Sequence, residues 1–554
     1  MRALGWVVWL SFAAHAVNAA GQGFPGTISA EAGKTVALSA GANLQAALDS
    51  AVPGDTIELP AGATFSGNYV LPSKNGTAYI TIRTAPSDDQ PKANERVTPA
   101  HSGRLARIQS ANSQPALRTA PGARHWKLVL LEFGPTQGSG GDIILLGDGS
   151  SAQSNLDRVP SDLVVDRCYI HGDPARGQKR GIALNSASTS VLGSYISDIK
   201  SASQDAQAIA GWNGPGPFLI ENNYLEASGE NFMLGGATPG INGLIPSDVV
   251  FRRNHVTRPA SWRTANWAVK NLFELKNARR VLVEGNLFET HWQDAQPGYA
   301  IVFTPRGEGG AAPWAVVEDV TFRYNVVRNV AAVFNFLARD NNAASGPLRR
   351  VKIVDNLFYG VDRSAWGGNG AFLQIGEGPA EISVEHNTIM QTGNIITAYG
   401  GTRQAPSAAD RFVFKDNIVL HNANGVIGTG LAIGNDTLSK YFPGAAFYRN
   451  VLAGGNASRY PADNSFPTVD WLKDQFQDAA TYDYRLRPGS SLRQSGSDSR
   501  DVGVGYTALI EGIGASAAVL LGLPEPSPPV PPDRFKDRTR GRPPAYIRPG
   551  SSGQ

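Results

Sequence analysis

The sequence predicts an all-β solenoid, a parallel β-helix closed at its N-terminal end by a short helix. The first observation is a repeat. The hexapeptide VEGNLF (Val283–Phe288) recurs as IENNYL, FRRNHV, FRYNVV, IVDNLF, VEHNTI, FKDNIV and FYRNVL. The shared Asn falls at Asn223, Asn254, Asn286, Asn325, Asn356, Asn387, Asn417 and Asn450, with gaps of 31, 32, 39, 31, 31, 30 and 33 residues. A fixed period of this size marks stacked supersecondary units. The second observation is local texture: the apolar segments are short, alternating and rich in Val, Ile, Phe and Tyr, with Gly and Pro between them, which is strand text and not helical text. The third is length. A propeller blade needs roughly 40 or more residues, whereas three short strands per coil fit these gaps, and a solenoid reaches 554 residues by adding coils.

Coils of this kind stack about 4.8 Å apart. Each Asn is expected at a bend in left-handed geometry, its side chain satisfying backbone groups in a ladder. Weaker copies, VDRCYI with Cys168 and VLGSYI with Ser194, precede the Asn series. On these motifs the chain resembles the right-handed parallel β-helix repeats of the pectate-lyase-like superfamily over residues 40–510. The resemblance implies a right-handed coil. It leaves activity open, because that superfamily includes lyases, hydrolases, epimerases and non-enzymatic adhesins.

In chain order, residues 1–20 read as a secretory signal peptide, with Arg2, an apolar run from Trp6 to Ala14 and small residues before the expected cleavage point. This predicts a secreted or periplasmic protein. No later stretch reaches 18 consecutive apolar residues, so no membrane span is expected. The single cysteine, Cys168, rules out an intramolecular disulfide and is expected in the core. Residues 21–100 form an N-terminal cap and first coils: NLQAALDSAV (Asn43–Val52) is an amphipathic helix stopped by Pro53-Gly54, and Tyr79–Thr84 begins the strands, followed by Trp126–Phe133. Asp88-Asp89 falls in a polar loop and reads as solvated surface. Residues 101–522 carry the coils, with Tyr482–Tyr506 as the closing coil. Residues 523–554 are a Pro-rich tail with nine Pro and an excess of basic residues that equals the whole chain's net charge of +3. The body is therefore charge-balanced, which gives no argument for nucleic acid, and a monomer is expected.

Stacked strands place equivalent positions in columns. The strand text after each Asn bend reads NFMLGG, NLFELKN, YAIVFTPR, VFNFLAR and AFLQIGEG. With Phe273, Leu275, Ile301, Phe303, Phe334 and Phe336 inward, one outward column is Met233, Glu274, Thr304, Asn335 and Gln374. The next holds Lys276, Arg306 and Leu337, with Arg339 beyond. Lys276 beside Arg306 is a cluster that a merely solvated face does not need. Like-charge repulsion favours the neutral amine of such a lysine, and Glu274 opposes it. This set suits β-elimination of a uronic acid, in which a base removes the proton α to the carboxylate and cations stabilise the charge that develops.

FELKNARRVLVEGN and AIVFTPRG look similar to the Lys- and Arg-bearing strands of chondroitinase B and related alginate lyases. The resemblance implies Lys276 as base, Arg306 as acid or charge stabiliser, and Ca²⁺ held by acidic residues, of which Glu274 is the one near Lys276. Without metal, Asn335, Gln374 or Arg339 would meet the substrate carboxylate. Further candidates for an acidic polysaccharide are His291, Glu230, Trp267 with Trp212, Trp262 and Trp292, and the basic group His171, Arg176, Lys179 and Arg180. A glycoside hydrolase, needing two carboxylates about 5–9 Å apart, would use Glu230 with Glu274. A surface ion-pair ladder, a non-catalytic carbohydrate-binding β-helix and an epimerase also remain open.

Overall fold

The computed structural model describes residues 33–514 and 521–522. The expected signal peptide and the Pro-rich tail, residues 523–554, lie outside the described residues. The chain winds through three long parallel sheets of 14, 13 and 12 strands. One coil runs through Ala278–Glu284 in the first sheet, Leu287–His291 in the second and Tyr299–Phe303 in the third. Each strand pairs in parallel with its counterpart one coil on, as in Val283↔Phe322, Phe288↔Val327 and Phe303↔Phe336. The interior is a column of side chains, with Phe232 stacked on Phe273 at 5.3 Å and Phe303 on Phe336 at 5.0 Å. Cys168 lies in this core.

The Asn series is a buried ladder. The Oδ1 of each Asn accepts from the backbone N–H and the Nδ2 of the preceding one, at 2.9 and 3.0 Å for Asn254 on Asn223 and at 2.9 and 3.1 Å for Asn356 on Asn325. Ser194 extends it backward, and Asn464 receives from Asn450 at its far end. The left-handed residue is not the Asn, as expected from sequence, but the residue before it: Asn222, Arg253, Gly285, Tyr324, Asp355, His386, Asp416 and Arg449 have φ between 51° and 64°. The Asn backbone must present its N–H to the next amide, so the turn is made one residue earlier. Only Gly285 among these is a glycine.

The helix spans Leu44–Ser50, capped by Asn43 Oδ1 on the Ala46 N–H at 3.0 Å. Leu44 and Leu48 close the core, and Gln45 bonds both backbone groups of Val70 at 2.8 and 2.9 Å, which pairs the open edge of the third sheet. At the other end Thr437 Oγ1 and the Tyr460 hydroxyl accept from Gly428 N and Val426 N. The early strand text Trp126–Phe133 is two strands, Arg124–Val129 and Leu131–Phe133, because the chain bends at Leu130 (φ 53°).

The segment expected to be a closing coil instead runs back along the solenoid. After an antiparallel pair, Phe476–Asp478 with Asp483–Leu486, it crosses Asp416, where Ser497 N and Gly503 N bond the side chain and carbonyl at 2.7 and 2.8 Å. Arg500 pairs with Asp355 at 3.0 Å, and Arg253 Nε reaches Gly512 O at 3.3 Å. The helix Tyr506–Ile513 lays Leu509, Ile510 and Ile513 on Leu287, Val326 and Leu357 of the second sheet. That sheet's outer face is apolar there and requires cover, which a further coil would not supply.

Candidate active site

The candidate residues lie on the outward face of the third sheet. A strand of the second sheet intervenes between each Asn and the third-sheet strand, so Leu287–His291 occupies what reads as loop in the sequence. In Asn271–Leu275 both Leu272 and Phe273 are buried, so the chain bends there and Asn271, Glu274 and Lys276 share the outer face. The column through Glu274 is Met233, Glu274, Val302, Asn335 and Gln374. Thr304 is not in it, contrary to the sequence expectation. Leu275 pairs with Phe303, and Thr304 N donates to Leu275 O at 3.0 Å, one step further along.

Lys276 and Arg306 do adjoin: Arg306 N donates to Lys276 O at 2.9 Å. Their charges, however, are turned to carboxylates and not to each other. Lys276 Nζ lies 3.3 Å from Glu274 Oε1, and Arg306 Nε lies 3.1 Å from Asp340 Oδ1, with Nη2 donating to Asn341 at 2.6 Å. The two cationic side chains are 20% and 34% exposed, while Glu274 and Asp340 are 2% and 3% exposed, so the cations form the accessible surface over buried anions. Gly236, at φ 91°, makes room for the lysine, since a Cβ there would stand 3.2 Å from Lys276 Cδ and 2.4 Å from Met233 Cε.

A second row, missed in the sequence, runs through the first residue of each strand: Asp142, Arg180, Gln207, Glu230 and Asn271. Arg180 bonds Asp142 at 2.7 Å and Gln207 at 2.8 Å, Gln207 Nε2 donates to Glu230 Oε2 at 3.0 Å, and Asn271 Nδ2 donates to Glu274 Oε2 at 2.9 Å. Aligning strand starts, DIILL, RGIAL, QAIAG, ENFML and NLFEL, is the signal that would have found it. Lys270, also missed, bridges Asp205 at 2.5 Å and Glu230 at 3.8 Å. Burial, and then the charges of Glu274 and Asp205, push the Glu230 carboxyl up to about 7.

Several candidates do not present themselves to this surface. His291 is fully buried, hydrogen-bonds the Lys270 carbonyl, and is held neutral with its pKa down at about 3 by desolvation and by Arg258. Trp262, Trp267 and Trp292 pack in one cluster, with the Lys200 ammonium 5.3 Å from the Trp267 ring, so they serve packing. Trp212 carries the Arg180 guanidinium at 5.1 Å. His171 lies on the second sheet against Glu132 at 3.1 Å, a different face altogether. Arg339 is exposed and turns to Ser345 O at 3.0 Å. Asn335 and Gln374 are joined at 3.1 Å, and Gln374 accepts from Tyr299 at 2.9 Å.

The Ca²⁺ that the resemblance implies has a donor set here. Glu230 Oε1 and Asn271 Oδ1 are buried acceptors without hydrogen-bond partners, on adjacent coils, with Glu274 beside them. Two carboxylates and an amide oxygen are hard donors that fit such an ion, the rest of its shell coming from water or substrate. Among the described residues no group of three or more His, Cys, Asp or Glu converges.

No family model matches the chain, and no curated protein matches it. Among solved structures, a mutant of the PL6-family alginate lyase AlyGC is similar to it over 90% of this chain, with a TM-score of 0.54 at 14% identity. This chain is a right-handed parallel β-helix. The match takes in 60% of AlyGC, so the β-helix spans less than two thirds of that enzyme's length. A mannuronic-acid-specific family 6 lyase from human gut microbiota is also similar, at 12% identity over 80% of this chain and 93% of that one, with a TM-score of 0.47. So is the catalytic domain of a GH87 α-1,3-glucanase, at 12% over 79% and 68%, with a TM-score of 0.43. At such identities the likeness concerns the fold, and the chemistry of this β-helix has to be argued from its own side chains.

Proposed function

We propose that this protein is a secreted or periplasmic, monomeric polysaccharide lyase that cleaves a uronic-acid polymer by β-elimination. The observation that carries the reading is the pair of half-exposed cations, Lys276 and Arg306, on adjoining coils of one outward face above buried carboxylates. Among the described residues no helix is long and apolar enough to cross a membrane. AlyGC is an alginate lyase by name, which makes alginate the first substrate to try.

In this reading the substrate carboxylate lies against Arg306, whose guanidinium is held by Asp340 and Asn341. Lys276, as the free amine, takes the proton α to that carboxylate. The electron pair of the broken C–H bond forms the new C=C bond, the bond to the glycosidic oxygen breaks, and that oxygen recovers a proton from the Lys276 ammonium or from water. Arg306 stabilises the charge that gathers on the carboxylate meanwhile. Glu274, Glu230 and Asn271 would hold Ca²⁺, which would supply positive charge beside the reacting carboxylate and a second partner for the Glu274 oxygens that face Lys276.

The test is the ultraviolet absorbance of the unsaturated uronate released from alginate, pectate, chondroitin and dermatan, with Ca²⁺ and with EDTA. Rising absorbance that falls by about 10²–10⁴ in Lys276→Ala supports the reading. A second reading rests on the Glu230 carboxyl near 7, a protonation state suited to a general acid. New reducing ends without absorbance, lost in Glu230→Gln, would replace the lyase by a hydrolase using Glu230 and Glu274.

A further inference from the structure

A cavity of about 360 Å³ opens at the bend between the second and third sheets, lined by Arg363, Asn369, Thr392, Asn394 and Asn424. Asn369, Asn394 and Asn424 precede the third-sheet strands Leu373–Gly376, Ile396–Tyr399 and Val426–Gly428, so they sit on three successive coils. Lys276 lies on the coil of Asn271–Leu275, three coils before the first of them. At about 4.8 Å per coil the amides begin roughly 14 Å from Lys276 along the axis and end roughly 24 Å from it.

The two amide series of this molecule differ in a way that bears on use. In the Asn325 ladder both ends of every amide are consumed inside the core. In the outer series Asn424 Nδ2 donates to Asn394 Oδ1 at 3.2 Å, Asn394 Nδ2 to Thr397 at 3.1 Å, and Asn369 Nδ2 to the Tyr299 hydroxyl at 2.7 Å. Asn369 and Asn424 are exposed, and Asn394 is half-exposed, so their remaining acceptor and donor capacity faces solvent. Through Tyr299 the series joins Gln374 and Asn335 on the same outward face as Lys276.

We propose that this cavity is a distal saccharide subsite. It takes the hydroxyl groups, and at Arg363 one carboxylate, of sugar rings some three to five units from the bond that is broken. Amides spaced one per coil match a polymer lying along the solenoid, because a coil advances by about the length of one ring in an extended chain. The inference rests on the lyase reading for the position of the reacting bond, and it adds a requirement for long substrates.

The experiment compares wild type with Asn394→Ala/Asn424→Ala, and separately Arg363→Ala, on alginate and polygalacturonate trimers and octamers. Circular dichroism and thermal melting confirm that each variant is folded. The expected result is a ratio of kcat/KM for octamer over trimer that drops about tenfold, carried by KM. An unchanged ratio overturns the subsite. Direct titration of the octamers into Lys276→Ala, with and without the cavity substitutions, separates the two ideas. If no substrate is cleaved but octamer binding weakens about tenfold with the amides removed, the subsite stands and the lyase reading falls. Octamer binding unaffected by them overturns the subsite whatever the activity.

Discussion

Glu230 is wholly buried, with one oxygen lacking a hydrogen bond, and burial, then the charges of Glu274 and Asp205, raise its carboxyl to about 7. A carboxyl raised from 4.5 binds more protons folded than unfolded between those values, so its contribution is full below pH 4.5 and is lost as pH rises to 7. In EDTA, Glu230→Gln should therefore match wild type in stability at pH 4 and exceed it by up to about 3 kcal/mol at pH 8, read by urea unfolding. Ca²⁺ should raise the wild-type melting temperature and leave that of Glu230→Gln unmoved, which tests the donor set without any assay of activity. The sequence showed Lys276 beside Arg306 because a two-residue alternation was enough to align them. It hid Asn271 because Leu272 and Phe273 both turn into the core and break that alternation, which strand texture alone does not reveal. It also could not show that Asp340, from a loop, would turn Arg306 away from Lys276.

Among the elements, the returning segment is the one whose role the sequence least disclosed. Its polar text, SGSDSRD, falls within the stretch expected as a closing coil, and its partners Asp355, His386 and Asp416 are bend residues whose left-handed backbone points them outward. His386 Nε2 lies 3.2 Å from Asp498 and 3.5 Å from Asp416, and Nδ1 contacts Asp501 O at 3.0 Å. The helix Tyr506–Ile513 then covers Leu287, Val326 and Leu357. Placing a charge in that contact, as Ile510→Asp, should free the segment at a cost of about 2–4 kcal/mol. Limited proteolysis should then cut between 497 and 514 while the coils survive. Global unfolding at the same denaturant as wild type, with no new cut, would show that the segment is held by its ion pairs alone. The cap helix, by contrast, was legible because Asn43, the spacing of Leu44 and Leu48, and Pro53-Gly54 are local signals.

The whole molecule is a stack in which each coil touches its neighbours, so its stability is close to a sum of coil and interface terms. The period of the Asn residues, read with the strand texture between them, made this architecture plain from sequence, since three short strands per coil fit about 30 residues. A central rung should accordingly cost more than a terminal one. Asn356→Ala strands the amide of Asn325 and the carbonyls of Phe322 and Val354, for about 3–5 kcal/mol. Asn464→Ala, at the last rung, should cost about 1–2 kcal/mol, because it bonds one neighbouring rung and not two, and denaturant melts of the two variants check the difference.

That ladder also has a direction. From Asn223 to Asn450 one side-chain N–H of each amide donates to the side-chain oxygen of the next Asn, with none reversed, while its other N–H is spent on a backbone carbonyl such as Ile220 O for Asn254. The amide dipoles therefore add head to tail, positive ends towards the C-terminal coils, and each polarises its neighbour. Turning one amide over would set N–H against N–H on one side and oxygen against oxygen on the other. The orientation of all the amides is thus a single choice, made once for the length of the stack, and it gives this β-helix an electrical axis of the kind usually credited to α-helices.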